Sequence, residues 1–138
     1  MMKMNYIGCS HNKIFKKPPY VYKFFKSINK YENEKQFYIK SKNTFTFIPE
    51  LCAFSDYRRL LVLNYCGERI CKQEFVQNKD FLKVLHDLIV YKTGYYHRDL
   101  YYKNILKNNK NQYFIIDFES CSKENKNIHK RSKEIYIN

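Results

Sequence analysis

Apolar and polar positions alternate early in this chain and then change period. Residues 5–26 interleave aromatic and polar side chains around Pro18-Pro19. That pattern predicts short strands joined by a turn, with Val21-Tyr22-Lys23-Phe24-Phe25 as the clearest strand. Ser27 stands where it caps a helix running to about residue 42. On that helix Tyr31, Glu34, Phe37 and Tyr38 recur at three- and four-residue spacing and share one face. Two strands are predicted next, near 45–54 and 60–65, with Asp56-Tyr57-Arg58 as the turn. Gly67-Glu68-Arg69 opens a polar linking segment. Asp80 then caps a second helix with Phe81, Leu82, Leu85, Leu88 and Ile89 as its apolar stripe, and Gly94 ends it as a left-handed cap. Residues 97–104 read as a loop. Ile105-Leu106 and 113–118 read as short strands around the polar turn Asn108-Asn109-Lys110-Asn111, and the tail after Ser120 is basic and weakly patterned. The order predicts an α+β fold with two lobes: a strand-rich small lobe over 1–65, a hinge and linker over 66–72, and a mainly helical large lobe over 73–138.

Composition narrows the classes. The 138 residues are 44% hydrophobic and 18% aromatic, enough apolar material for one domain's core. Lys, Asn, Tyr and Ile are abundant and Gly and Pro scarce, a bias that matches translation of an AT-rich genome. The formal net charge of +13 favours phosphate-bearing partners such as nucleotides, nucleic acid or acidic membrane surfaces. The plainer reading is a solvated Lys-rich surface, because the lysines are spread rather than gathered in a stripe. Nucleic acid is therefore not the favoured partner. Five cysteines, Cys9, Cys52, Cys66, Cys71 and Cys121, form no Cys-x-x-Cys pair. Neither a disulfide framework nor a zinc site is suggested, and a reducing compartment fits: the cytoplasm, or a host's cytoplasm for a viral chain. Residues 1–17 do not read as a signal peptide, and no stretch approaches a membrane span.

The loop carries the chemistry. His97-Arg98-Asp99 is followed five residues after the aspartate by Asn104, and an apolar run, Phe114-Ile115-Ile116, leads into Asp117. Phosphoryl transfer needs a carboxylate beside the attacking hydroxyl and oxygen ligands for a hard cation on a rigid frame. Asp99 suits the first task, Asn104 and Asp117 the second. With these residues in view, His97-Arg98-Asp99-Leu100-Tyr101-Tyr102-Lys103-Asn104 resembles the catalytic loop of protein kinases. Asp117-Phe118-Glu119 resembles their metal-binding Asp-Phe-Gly motif.

The resemblance assigns further roles. Lys23 resembles the strand lysine that reaches the nucleotide phosphates, and Glu34 its carboxylate partner. Glu34 also points inward by the helix period, whereas Glu32 lies about 200° away around the axis. Residues 60–67 resemble the strand leading into an adenine-holding hinge. Leu63 would line the pocket and the backbones of Asn64 and Cys66 would bond the base, although an ordinary core strand explains the same residues. Ile7-Gly8-Cys9-Ser10 stands in place of the glycine-rich loop with one glycine where the family has three. Backbone amides around Gly8 and Ser10, with Lys13 nearby, would meet phosphate. Lys103 stands four residues after Asp99, where serine/threonine kinases carry a lysine two residues on.

Two further departures shape the expected function. Glu119 replaces the motif glycine, as in choline kinases and aminoglycoside phosphotransferases. Few residues follow it, so no activation segment or peptide-docking helices are expected, Arg98 is expected to have no activation loop to hold, and a partner would complete the short large lobe. Lys133-Glu134-Ile135-Tyr136 resembles the closing helix of compact atypical kinases such as the small kinase associated with transfer-RNA modification. The resemblance thus implies a minimal kinase using ATP and Mg2+. It would move the γ-phosphate to a hydroxyl acceptor, a protein first and a small-molecule alcohol second. The competing reading is a catalytically inactive pseudokinase that binds nucleotide or a partner.

Overall fold

The computed structural model describes residues 5–6, 12–126 and 128–133. The chain divides into two compact units, Met1–Tyr65 and Cys66–Asn138.

Among the described residues the first unit is a five-stranded antiparallel sheet with one helix. Its strands are β1 (Asn5–Tyr6), β2 (Asn12–Lys17), β3 (Tyr20–Phe25), β4 (Leu51–Ser55) and β5 (Leu60–Asn64), in the order β1-β2-β3-β5-β4. Pro18-Pro19 makes the β2–β3 turn. Along β3 and β5 burial alternates: Lys23 and Phe25, with Leu61 and Leu63, face inward. Helix α1 (Ile28–Lys40) starts where the Ser27 hydroxyl accepts the Lys30 amide. Tyr31, Glu34, Phe37 and Tyr38 are buried as their spacing predicts, and Lys35 is buried beside them. Tyr31 meets Phe25 edge to face, with ring centroids 5.7 Å apart. Asp56, in the β4–β5 turn, ties that turn to α1. It accepts from the Tyr31 hydroxyl at 2.6 Å and from Lys35 at 2.9 Å, and these two bonds hold its carboxyl below the usual range.

The strand predicted over 45–54 begins only at Leu51. Pro49 has no N–H to give a ladder, and Ile48 and Pro49 are buried in an irregular stretch. Glu50 closes the stretch by exchanging bonds with Asn64: its amide donates to Asn64 Oδ1 at 2.6 Å, and its carbonyl accepts the Asn64 amide at 3.1 Å.

The second unit joins helices to a three-stranded sheet. Gly67-Glu68-Arg69, expected as a linking segment, contributes strand β6 (Glu68–Arg69). It pairs with β7 (Ile105–Lys107), which pairs with β8 (Tyr113–Ile115). Gly67 allows this, because a Cβ there would lie 2.3 Å from the Lys107 carbonyl and φ is +128°. A short helix the pattern did not predict, α2 (Lys72–Gln77), runs through Asn78 into α3 (Lys79–Thr93). Asn78, not Asp80, is therefore the N-terminal cap, and Asp80 sits in the first turn. The Glu74 carboxylate fastens α2 to the sheet, accepting from Lys107 at 2.8 Å and Tyr113 at 2.6 Å. Burial, and then that bond to Glu74, push the Tyr113 hydroxyl up to about 12.

The buried face of α3 is Leu82, Leu85, His86 and Ile89. Phe81 and Leu88, predicted for the core stripe, are 52% and 40% exposed. The helix carries two apolar stripes, and periodicity does not choose between them. Gly94 ends α3 in the left-handed conformation (φ +76°), its amide bonded to the Val90 carbonyl at 2.8 Å. No helix among the described residues is long and apolar enough to cross a membrane.

Candidate active site

In the second unit the candidate residues are joined by a closed ring of hydrogen bonds. His97 is fully buried. Its Nδ1 accepts the Asp99 amide at 3.1 Å and its Nε2 lies 2.7 Å from the Ile116 carbonyl, so the neutral ring carries its proton on Nε2. The Ile116 amide donates to the Asn104 carbonyl at 3.0 Å. Asn104 Nδ2 donates to the Asp99 carbonyl at 2.8 Å, completing the ring. Phe118 packs edge-on against His97 at 4.8 Å. Asp99, Asn104 and the residue before Asp117 are thereby fixed to one another through short polar links.

Two backbone positions in this frame sit in the left-handed region, Arg98 at φ +74° and Asp117 at φ +68°. Each costs on the order of 1 kcal/mol and persists only because the surroundings impose it. Asp117 was predicted to end a strand. The ladder instead stops at Ile115, because Ile116 gives both of its backbone groups to His97 and Asn104. Asn104 closes a single 3-10 turn, Tyr102–Asn104, directly before β7. Since its amide nitrogen is committed to Asp99, its amide oxygen is left as the ligand atom. The Asp117 carboxylate is the other oxygen ligand that the sequence offers for a hard divalent cation. Lys103, on the same turn, is exposed. Arg98, expected to have no activation loop to hold, donates to the Ser120 carbonyl at 3.1 Å and so ties down the segment after Glu119.

His86 supports this frame from α3, accepting the His97 amide on Nε2 at 3.2 Å. Burial first, then the nearby His97, lower its pKa to about 3. The folded state thus holds His86 neutral, whereas the unfolded chain protonates it near 6.5. Its contribution is complete above the unfolded value and is lost as pH falls toward about 3. Each unit of that gap is worth about 1.4 kcal/mol. Urea unfolding across pH 7 to 4 should therefore show falling stability, with a shallower fall in His86→Gln. An equal slope in both proteins would remove His86 as the cause.

In the first unit Lys23 Nζ donates to Glu34 Oε1 at 2.7 Å, with both residues buried. Strand β3 supplies the lysine and α1 the glutamate. The lysine also lies over the Phe25 ring at 4.7 Å. Leu63 is buried on β5, Asn64 ends that strand, and Cys66 is buried as the first residue of the second unit. Gly8 and Ser10 lie outside the described residues, as does most of the segment 133–136. Lys13 is exposed on β2.

The pattern missed one contact at the site. Arg131, in the turn Lys130–Ser132, donates from Nε to Asp99 Oδ1 at 2.8 Å and from Nη2 to Asp99 Oδ2 at 2.7 Å. Nothing in a weakly patterned basic tail singles it out.

No protein-family model matches the chain, and no curated protein sequence does. Solved structures do. The fold superposes on WbdD bound to the kinase inhibitor LY294002 with a TM-score of 0.64 at 20% identity, over 88% of this chain. Monomeric WbdD gives 0.63 at 19% over 81%, and a further WbdD structure 0.65 at 20% over 89%. This chain spans a third of the WbdD chains it matches. The protein has an α+β, kinase-like fold.

Proposed function

We propose that this protein is an ATP-dependent phosphotransferase that moves a γ-phosphate to a hydroxyl acceptor. The observation that carries the reading is the hydrogen-bonded ring of Asp99, His97, Ile116 and Asn104. It fixes the main chain of Asp99 and the side-chain amide of Asn104 on one frame that leads directly into Asp117. Preorganisation of this kind is what phosphoryl transfer asks of a protein, because catalysis there is mostly positioning and charge stabilisation. Asp99 orients the acceptor hydroxyl and takes up its proton as the oxygen bonds to the γ-phosphorus and the bond from that phosphorus to the bridging β-phosphate oxygen breaks, releasing ADP. Asn104 and Asp117 would hold magnesium, which when bound would neutralise phosphate charge. Lys23, held by Glu34, supplies a cation for the nucleotide phosphates, and Lys103 approaches the transferred phosphate. Leu63, with the backbones of Asn64 and Cys66, meets the base, and Gly8 and Ser10 supply amides to the phosphates. A protein hydroxyl is the first acceptor, from the His-Arg-Asp form of the loop. A small-molecule alcohol is second, from Glu119.

The binding half of the proposal has a direct test. ATP with magnesium should raise the melting temperature, since a ligand that binds only the folded state stabilises it by mass action. ATP with a chelator should raise it much less. No shift with ATP and magnesium would contradict a metal–nucleotide site.

A further inference from the structure

The Asp99 carboxylate has to be aimed, and the loop does not aim it. His97 and Asn104 both bind the main chain of Asp99, on its amide and its carbonyl. Among the described residues only Arg131 donates hydrogen bonds to the carboxylate itself, one to each oxygen. The planar fork sets the plane of the carboxylate, which a single donor would leave free to rotate. The fork is itself held. The Arg131 guanidinium carbon lies 4.0 Å from the centroid of the Tyr101 ring, and the tail turn is pinned by the His129 amide on the Arg98 carbonyl at 3.0 Å. Arg131 thus bridges two residues of the catalytic loop, Asp99 and Tyr101.

A carboxylate offers about four lone-pair sites, and a bidentate guanidinium uses two. Each oxygen therefore keeps one site for an incoming hydroxyl. The side chain of Asp99 is 12% exposed and that of Arg131 is 43% exposed. A carboxylate this enclosed has little water to orient it, which makes the fork the dominant restraint.

We infer that Arg131 is a positioning residue for Asp99, locking the carboxylate in the orientation that receives the acceptor hydroxyl. The inference rests on the phosphotransferase reading. It adds that the basic tail is part of the catalytic site. Orienting partners of this kind are worth about ten- to a hundred-fold in rate.

The test uses the full chain with labelled ATP and magnesium, reading phosphate delivered to water and to dephosphorylated casein. Arg131→Ala should lower kcat by about ten- to a hundred-fold, with KM for ATP changed by less than about three-fold. Arg131→Lys should recover only part, because an ammonium cannot make the fork. Guanidinium ion, far below denaturing concentrations, should restore part of the Arg131→Ala rate where ammonium does not. Combined with Asp99→Ala, the Arg131 change should cost nothing further. Turnover in Arg131→Ala equal to wild type would overturn the inference. Faster turnover would do so too, and would make the tail a plug on the site. Loss of activity that guanidinium does not rescue, and that adds to the Asp99→Ala loss, would reduce Arg131 to a structural residue. An inactive wild type would defeat the phosphotransferase reading itself, a separate outcome from any of these.

Discussion

Replacing Asp117 with asparagine or alanine should lower phosphate transfer by about a thousand-fold or more, roughly 4 kcal/mol of transition-state stabilisation. The chain should remain folded, because Asp117 lies beyond the end of β8 and is not part of the buried core. The two variants separate charge from backbone. At φ +68° alanine is strained by about 1 kcal/mol, whereas asparagine tolerates the left-handed region much as aspartate does. Asp117→Asn should therefore melt close to wild type and still lose transfer, along with the magnesium dependence of nucleotide binding. Labelled-phosphate transfer and thermal melting on the same preparations check both halves. Unchanged turnover would remove Asp117 from the mechanism.

The second large effect concerns the pair in the first unit. Glu34→Ala deprives a buried lysine of its carboxylate, and breaking a buried pair from one side costs about 3–5 kcal/mol. In a chain of this size that lowers the melting temperature by about 10 °C or more. Replacing both Lys23 and Glu34 with methionine should restore most of that stability, since apolar residues of similar volume often substitute for a buried pair without loss. It should not restore transfer. Urea unfolding and transfer assays on the single and double variants would show the split. A Glu34→Ala protein as stable as wild type would mean that the pair does not hold α1 to β3.

The sequence was most legible where chemistry or periodicity restricts the residue at a position. His97, Asp99 and Asn104 stand out because a transfer loop needs those types at that spacing. Glu34 stands out because a carboxylate on an apolar helix face requires a cation, and β3 offers Lys23. The two strands and the helix around them follow from alternation and from the Ser27 cap.

What was not legible depends on tertiary choice. Helix α3 carries two apolar stripes, and packing selected the one containing His86 over the one containing Phe81 and Leu88. Helix α2 is too short for a period to establish. Strand β6 exists because Gly67 lets the chain approach Lys107, and no local residue announces that pairing. The left-handed turn at Asp117 follows from how His97 and Asn104 divide the backbone groups of Ile116. Arg131 meets Asp99 from 32 residues away in the chain, out of reach of any local pattern. Its one sequence-level hint is that an inward carboxylate such as Asp99 needs a donor somewhere.

The central claim is transfer of phosphate from ATP. Its most direct test is γ-labelled ATP with magnesium and the full chain, followed over time with protein and small-alcohol acceptors and with water alone, alongside Asp99→Asn. Label should leave ATP in the wild type, a loss stopped by chelation of magnesium and strongly reduced in Asp99→Asn. Label that stays on ATP under every condition, in a protein that still binds ATP and magnesium, would contradict it and leave a nucleotide-binding module in its place.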